Sequence, residues 1–247
     1  MTAPAGPSSS RSDPVIVYGR NPVHEVLRAG RRRAHRVWAT KNAAREEWLS
    51  GVPVEVVGSD EVAERSGTDA HQGICADVEA YHYTGAGELL APQDAFVVVL
   101  DEVTDPQNLG AIARTAETAG ATGLVIPERR SAEVTPAVCK ASAGAGEHLR
   151  IARVRNLADF LGQAKDAGAW TYGAAAEGRT PYRQPDYRGK VVLVLGAEGK
   201  GLRPRVAAAC DDLVSLPLRG KVGSLNVSAA AAVLLYEILQ QRLDTDP

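Results

Sequence analysis

Two kinds of apolar pattern alternate along the chain. Phe96–Leu100 and Val191–Leu195 are continuous apolar runs with no polar position in either phase. That is the pattern of strands buried on both faces of a parallel sheet. Leu124–Ile126, Trp170–Ala174 and Leu213–Leu216 read as further strands of the same kind. Between the runs, apolar residues recur at helical spacing, as at Leu109, Ile112, Ala113 and Ala116, and again at Val227, Ala231, Leu234 and Ile238. The latter set predicts a final helix over Leu225–Leu243, and Arg114 falls on a different face of its helix from the apolar stripe. Strand–helix alternation over residues 96–247 therefore predicts an α/β domain, a parallel sheet with helices on both faces.

The N-terminal part is organised differently. Residues 1–14, rich in Ala, Pro, Gly and Ser, predict a disordered tail. Residues 15–81 predict a small α/β unit with strands at Val15–Tyr18, Val37–Ala39, Val54–Val57 and Ile74–Val78. Asn21 is expected to cap a helix with Pro22 at its first position and Gly30 at its end. Helical stretches are expected near Asn42–Leu49 and Asp60–Arg65. Tyr83–Gly87 and Pro92 mark a linker over residues 82–95, and Tyr182–Arg188 reads as a polar connection.

Three segments carry candidate chemistry. In Leu216–Ser228, Pro217 removes a backbone donor, and Gly220 and Gly223 are expected to let the loop turn sharply and aim its N–H groups at a ligand. Ser224, Asn226 and Ser228 then crowd the start of the last helix, where a plain cap needs only one polar side chain. Upstream, the strand Val191–Leu195 empties into Gly196-Ala197-Glu198-Gly199-Lys200-Gly201. This loop lacks the GxGxxG and GxxxxGK[ST] spacings, and its carboxylate is a poor neighbour for a polyphosphate. The third segment follows the strand Phe96–Leu100: Asp105 before Pro106, and Asn108 before the apolar stripe, are both plausible helix starts, with Arg114 further along. A nucleophilic role for Ser224 is set aside, because Val222–Asn226 is not a GxSxG elbow and no His/Asp pair is placed to activate the hydroxyl. His148, a lone histidine after Gly144–Glu147, is assigned no role.

Taken in order, Asn108 with Arg114, the Gly196–Gly201 loop with Glu198, and the Leu216–Ser228 block resemble the signature motifs of the SpoU/TrmH class of the SPOUT superfamily, RNA ribose 2′-O-methyltransferases. Val17-Tyr18-Gly19 and His71-Gln72-Gly73-Ile74 are similar to the substrate-binding domain of its branch acting on guanosine of large-subunit ribosomal RNA. The resemblance implies a C-terminal SPOUT domain with a deep trefoil knot, a rare exception to unknotted chains, and an L30e-like N-terminal RNA-presenting domain. It implies S-adenosylmethionine held by Gly196, Ala197, Gly199, Gly201, Leu216, Leu218, Ser224, Leu225 and Asn226. It also implies a catalytic set of Arg114, Asn108, Glu198, Ser224 and Asn226. Arg114 is proposed in the family as a general base. A guanidinium with a pKa above ~12 is better suited to hold the 2′-oxygen and its phosphate and to stabilise developing alkoxide. A non-catalytic RNA-binding or ribosome-assembly protein is the reading from another class, and it need not keep all five polar residues. Within the enzyme reading, transfer RNA is the competing substrate, and the separate N-terminal domain leans toward ribosomal RNA.

Composition changes the picture little. The 247 residues carry 28 Lys and Arg against 30 Asp and Glu, a net charge of −2, so global electrostatics give no nucleic-acid signature. A local one exists: Arg31, Arg32, Arg33 and Arg36, with Arg28 and His35, form a cluster that reads equally as a phosphate contact or a solvated run near a helix end. The three cysteines have no CxxC spacing, which argues against a disulfide framework or a metal site and fits a reducing cytoplasm. No stretch reads as a membrane span or signal core. Ala229–Ala232 together with Leu234, Leu235, Ile238 and Leu239 offers more apolar surface than one stripe needs, and with the resemblance this predicts a homodimer.

Overall fold

The computed structural model describes residues 15–244, so the tail expected at 1–14 lies outside the described residues. The described residues divide into two compact units, on either side of the step from His82 to Tyr83.

In the first unit, β1 (Val15–Tyr18), β2 (Ala34–Ala39), β3 (Glu55–Val56) and β4 (Ile74–Val78) form one sheet in the order β1-β4-β2-β3. β4 runs antiparallel to both neighbours, with Tyr18 opposite Cys75 and Ala39 opposite Ile74. Trp38, Val62 and Cys75 are buried together beneath α2 (Ser59–Ser66). Helix α1 (Arg20–Ala29) begins two residues earlier than expected: Gly19, at φ 95°, is the cap, and neither Asn21 nor Pro22 holds the predicted place. Proline is tolerated there because first-turn N–H groups have no intrahelical acceptor to lose. Gly30 closes the helix in the left-handed conformation, as expected. The stretch Asn42–Leu49 is not one helix but two single 3₁₀ turns, Ala43–Arg45 and Glu47–Leu49, whose apolar residues Ala43 and Leu49 plug the unit's core.

The second unit starts earlier than predicted. Residues 83–95 do not link; they carry α3 (Ala86–Leu89), and Leu89 and Leu90 are buried among Val97, Val125 and Phe160. The sheet contains β5 (Phe96–Asp101), β6 (Gly123–Pro127), β7 (Ile151–Val154), β8 (Trp170–Ala174), β9 (Thr180–Pro181), β10 (Val191–Gly196) and β11 (Asp212–Ser215). All pairings are parallel, in the order β7-β6-β5-β10-β8-β11-β9. β5 and β10 are central, which is why both sequences are apolar in both phases. Val97, Val99, Val192 and Val194 meet α6 (Leu157–Asp166). Alternation sends Val98, Leu100, Leu193 and Leu195 to the opposite face, on the side of α4 (Pro106–Thr118) and α8 (Val227–Leu243). α5 (Pro136–Ala141) packs on α4, and α7 (Pro204–Ala209) packs on α6.

β7 and β9 were not legible in the sequence, being only four and two residues long and interrupted by Arg153 and Thr180. The connection at Tyr182–Arg188 is polar except at its anchor. Tyr187 is fully buried, donates its hydroxyl to the Tyr182 carbonyl at 2.7 Å and meets Tyr172 edge-on at 5.0 Å. Cys75 and Cys139 are buried, and burial pushes the Cys75 thiol up to about 11. Among the described residues, no helix is long and apolar enough to cross a membrane.

The α4–α5 contact offers a test of packing. A Cβ on Gly110 would lie 2.4 Å from the Ala141 Cβ and 2.9 Å from the Ser142 nitrogen. Alanine's better helix propensity favours Gly110→Ala by about 1 kcal/mol, but forced overpacking costs about 1–3 kcal/mol. We expect a net loss of stability and a lower urea midpoint. A midpoint at or above that of the native sequence would show that α5 yields at no cost.

Candidate functional site

In a parallel sheet every strand delivers its following loop to the same edge, and ligands bind outside the carboxyl ends. Here β8, β10 and β11 converge there on one cavity of about 570 Å³. Its walls come from the Gly196–Gly201 loop after β10, the Leu216–Leu225 segment after β11, and the first turns of α8. Every residue expected from the sequence to hold a cofactor lines it, Asn226 excepted, and Glu198 does so as well. The segment Ala174–Glu177 after β8 also lines it and was missed; its only signal was its place at a strand's carboxyl end. Leu218, Val222 and Leu225 stay 37%, 74% and 44% exposed, unusual for apolar residues and concentrated in one loop.

The glycines act differently from expectation. Gly199 and Gly201 adopt φ of 75° and 66°, whereas Gly220 and Gly223 do not take positive φ. The sharp turn therefore belongs to the first loop. That loop closes on itself, with Gly201 N donating to the Ala197 carbonyl at 2.9 Å. A Cβ on Gly196 would lie 2.2 Å from the Gly201 carbonyl carbon, a contact no side chain survives.

Asn226 joins the three segments. Its amide Nδ2 donates to Asn108 Oδ1 at 3.0 Å and to Glu198 Oε2 at 3.2 Å, partners 118 and 28 residues away. Its Oδ1 accepts from Ser228 N at 2.8 Å and from Ser228 Oγ at 2.6 Å, so the same side chain caps α8. The helix accordingly begins at Val227, not Leu225. Asp105 caps α4 by accepting from Gln107 N at 2.9 Å, which leaves the Asn108 side chain, two residues inside the helix, to face Asn226.

Two expected residues stand apart. Arg114 is exposed on α4, six residues past Asn108 and so about 9 Å further along the axis. Among the described residues its side chain meets none of the other four polar residues of the set. In the first unit, Arg32 does not belong to a solvated cluster. It is 4% exposed, donates to the Glu79 carbonyl at 3.2 Å and covers the Tyr81 ring at 5.5 Å. Its role is structural, while Arg31, Arg33 and Arg36 are exposed. They sit at the start of β2, the end of the sheet opposite Gly19, whose N–H donates to the Ile74 carbonyl at 3.0 Å.

Comparison with known proteins finds relatives of both units. Residues 95–236 match the model of the SpoU rRNA Methylase family, and residues 16–84 match that for RNA 2'-O ribose methyltransferase substrate binding. A putative TrmH family tRNA/rRNA methyltransferase of Bacillus subtilis is 38% identical over 239 residues, 92% of this chain and 95% of the relative. A 23S rRNA (guanosine-2'-O-)-methyltransferase of Pseudomonas syringae is 40% identical, covering 92% of this chain and 95% of its own. Among solved structures, the SpoU methyltransferase AviRb of Streptomyces viridochromogenes, in complex with AdoMet, superposes with a TM-score of 0.80 at 25% identity, over 96% of this chain and 93% of that one.

Because Asn226 both caps and bridges, the two roles can be separated. Asn226→Ala should lose about 1 kcal/mol of stability in urea unfolding, while Asn226→Ser keeps a capping oxygen and stays within about 0.5 kcal/mol. Equal losses in both variants would mean that the bridge to Asn108 and Glu198, rather than the cap, holds the start of α8.

Proposed function

Since the chain belongs to the SpoU rRNA methylase family, we propose that it methylates a ribose 2′-oxygen of ribosomal RNA, on a guanosine of the large subunit, using S-adenosylmethionine. The observation that carries the reading is the Asn226 amide, bonded at once to Asn108 and Glu198 beside the cavity. The cavity suits that cofactor by its chemistry. Leu195, Leu216 and Leu225 give apolar walls for a nucleoside, the glycine loop exposes backbone donors and acceptors, and the Glu198 carboxylate complements a cation rather than a polyphosphate. When bound, the cofactor supplies a methyl group on cationic sulfur.

The residues' part is positional and electrostatic. Asn108, Asn226 and Ser224 fix polar groups where the cavity opens, and orientation alone removes much of the barrier to an in-line displacement. Arg114 holds the ribose 2′-oxygen and its neighbouring phosphate and stabilises the negative charge that develops as the methyl group arrives. The first unit supplies RNA affinity through exposed Arg31, Arg33 and Arg36. The trefoil knot implied by the resemblance is part of the same proposal.

The proposal includes a C₂ homodimer, on changed grounds. Leu234, Leu235 and Ile238, offered by the sequence as surplus surface, are buried in the unit's own core, because α8 packs its inner face on the sheet and on α4. The apolar surface that remains on α8 is Val233, Tyr236 and Leu243, 43%, 51% and 56% exposed. A partner seated there supports Arg114 acting in the other subunit's site, which suits its separation from Asn226.

Arg114→Ala should abolish methylation while leaving cofactor affinity by calorimetry unchanged, whereas Leu225→Arg should remove cofactor binding itself. Mixing Arg114→Ala with Asn226→Ala subunits should restore part of the activity if sites are shared. A monomer in sedimentation that retains full activity overturns the dimer, and Arg114→Ala with native turnover overturns the mechanism. In the first unit, replacing Arg31, Arg33 and Arg36 by Ala should flatten the salt dependence of RNA binding at unchanged Tm, while Arg32→Ala should lower Tm. An unaltered salt slope in the triple variant would show those arginines to be a solvated face.

A further inference from the structure

One buried charge is used by nothing described above. Asp101, the last residue of β5, is fully buried. Its carboxylate is taken up by one residue from the far side of the cavity loop: Arg203 donates its backbone N–H to Oδ2 at 2.8 Å and its Nε to Oδ1 at 2.7 Å. Asp101 lies in register beside Gly196, where the loop leaves β10, and Arg203 stands two residues past Gly201, where the loop ends. A single carboxylate beside the loop's entrance therefore grips its exit. The guanidinium continues to Glu102 at 3.6 Å, and Glu102 meets Arg130 at 3.4 Å. Glu102 and Arg130 both hold left-handed backbone, φ 59° and 58°. Non-glycine residues keep such angles only where surrounding contacts impose them.

We infer that Asp101 and Arg203 are positioning residues, a clamp that keeps the Gly196–Gly201 loop closed in its ligand-binding shape and holds Glu198 within reach of Asn226. The inference rests on the cavity being the S-adenosylmethionine site. Packing alone does not explain the pair. Arg203 is 42% exposed at its side chain, and an apolar pair of similar size would fill the buried end without the desolvation cost of a charge. What a carboxylate adds is two directed, charge-assisted bonds to one residue, which fix both its backbone and its side chain. An open loop would leave Glu198 and the Leu202 wall displaced, so the clamp acts on cofactor affinity before it acts on turnover.

The test is cofactor affinity by calorimetry on the full-length protein, beside thermal unfolding. Arg203→Gln, which keeps a side-chain amide donor beside Asp101, should weaken S-adenosylmethionine binding about tenfold, the loss of about 1.4 kcal/mol. It should raise KM for the cofactor more than it lowers kcat. Arg203→Lys, which keeps the charge without the second directed donor, should fall between Arg203→Gln and the native sequence. Asp101→Asn should reproduce the Arg203→Gln loss wherever it folds. Leu225→Arg serves as the control on the cavity itself. If Leu225→Arg abolishes binding while Arg203→Gln binds as the native protein does, even at a lowered Tm, the pair is merely structural and the clamp is overturned. If Leu225→Arg also binds as the native protein does, the cavity is not the cofactor site and both readings fall.

Discussion

The in-register pairing of β5 with β10 is the constraint on which the rest of this molecule depends. Both strands are apolar in both phases, so they can only lie at the centre of a sheet covered on both faces. Parallel pairing then forces their loops to the same edge. The carboxyl ends place Asp101 beside Gly196, start α4 with Asn108 on one side, and launch the glycine loop with Glu198 on the other. Asn226, arriving at the head of α8, finds both partners within hydrogen-bonding distance because the two strands have already fixed them. The site is a consequence of burial: strands that have no polar face leave chemistry only at their ends.

The polar groups there are few, and two of them do two jobs. Asn226 caps a helix and joins two motifs; Asp101 ends a strand and grips the exit of a loop. Shared duty ties the shape of the cavity to the stability of the elements that deliver it. It also explains why the loop's glycines are not interchangeable. Gly199 and Gly201 carry the turn, Gly196 allows the backbone to touch itself, and the glycines of the Leu216–Asn226 segment serve a more open loop.

Much of this was legible in the sequence, for a physical reason. Central strands announce themselves by unbroken apolar runs, and the two loops that wall the cavity lie where such runs stop; the individual residues were implied by the resemblance. The reading failed where local patterns are ambiguous. Arg32 looked like its neighbours, and only tertiary contact with Glu79 and Tyr81 buries it. Leu89 and Leu90 sat in a stretch punctuated by Gly and Pro, yet they complete the core beside α6. Leu234, Leu235 and Ile238 look like surplus apolar surface until α4 is placed against them. The Asp101–Arg203 pair spans 102 residues, and no spacing rule links such distant partners.

Methyl transfer to a ribose 2′-oxygen leaves a signature that alkali reads. A 2′-hydroxyl is the internal nucleophile by which base cleaves RNA, so methylating it protects the adjoining phosphodiester. Purified protein, large-subunit ribosomal RNA lacking the modification and methyl-labelled S-adenosylmethionine should yield, after complete alkaline hydrolysis, label in an alkali-stable dinucleotide beginning with guanosine. Label recovered in mononucleotides, the signature of a methylated base, or no label in the RNA at all, would contradict it.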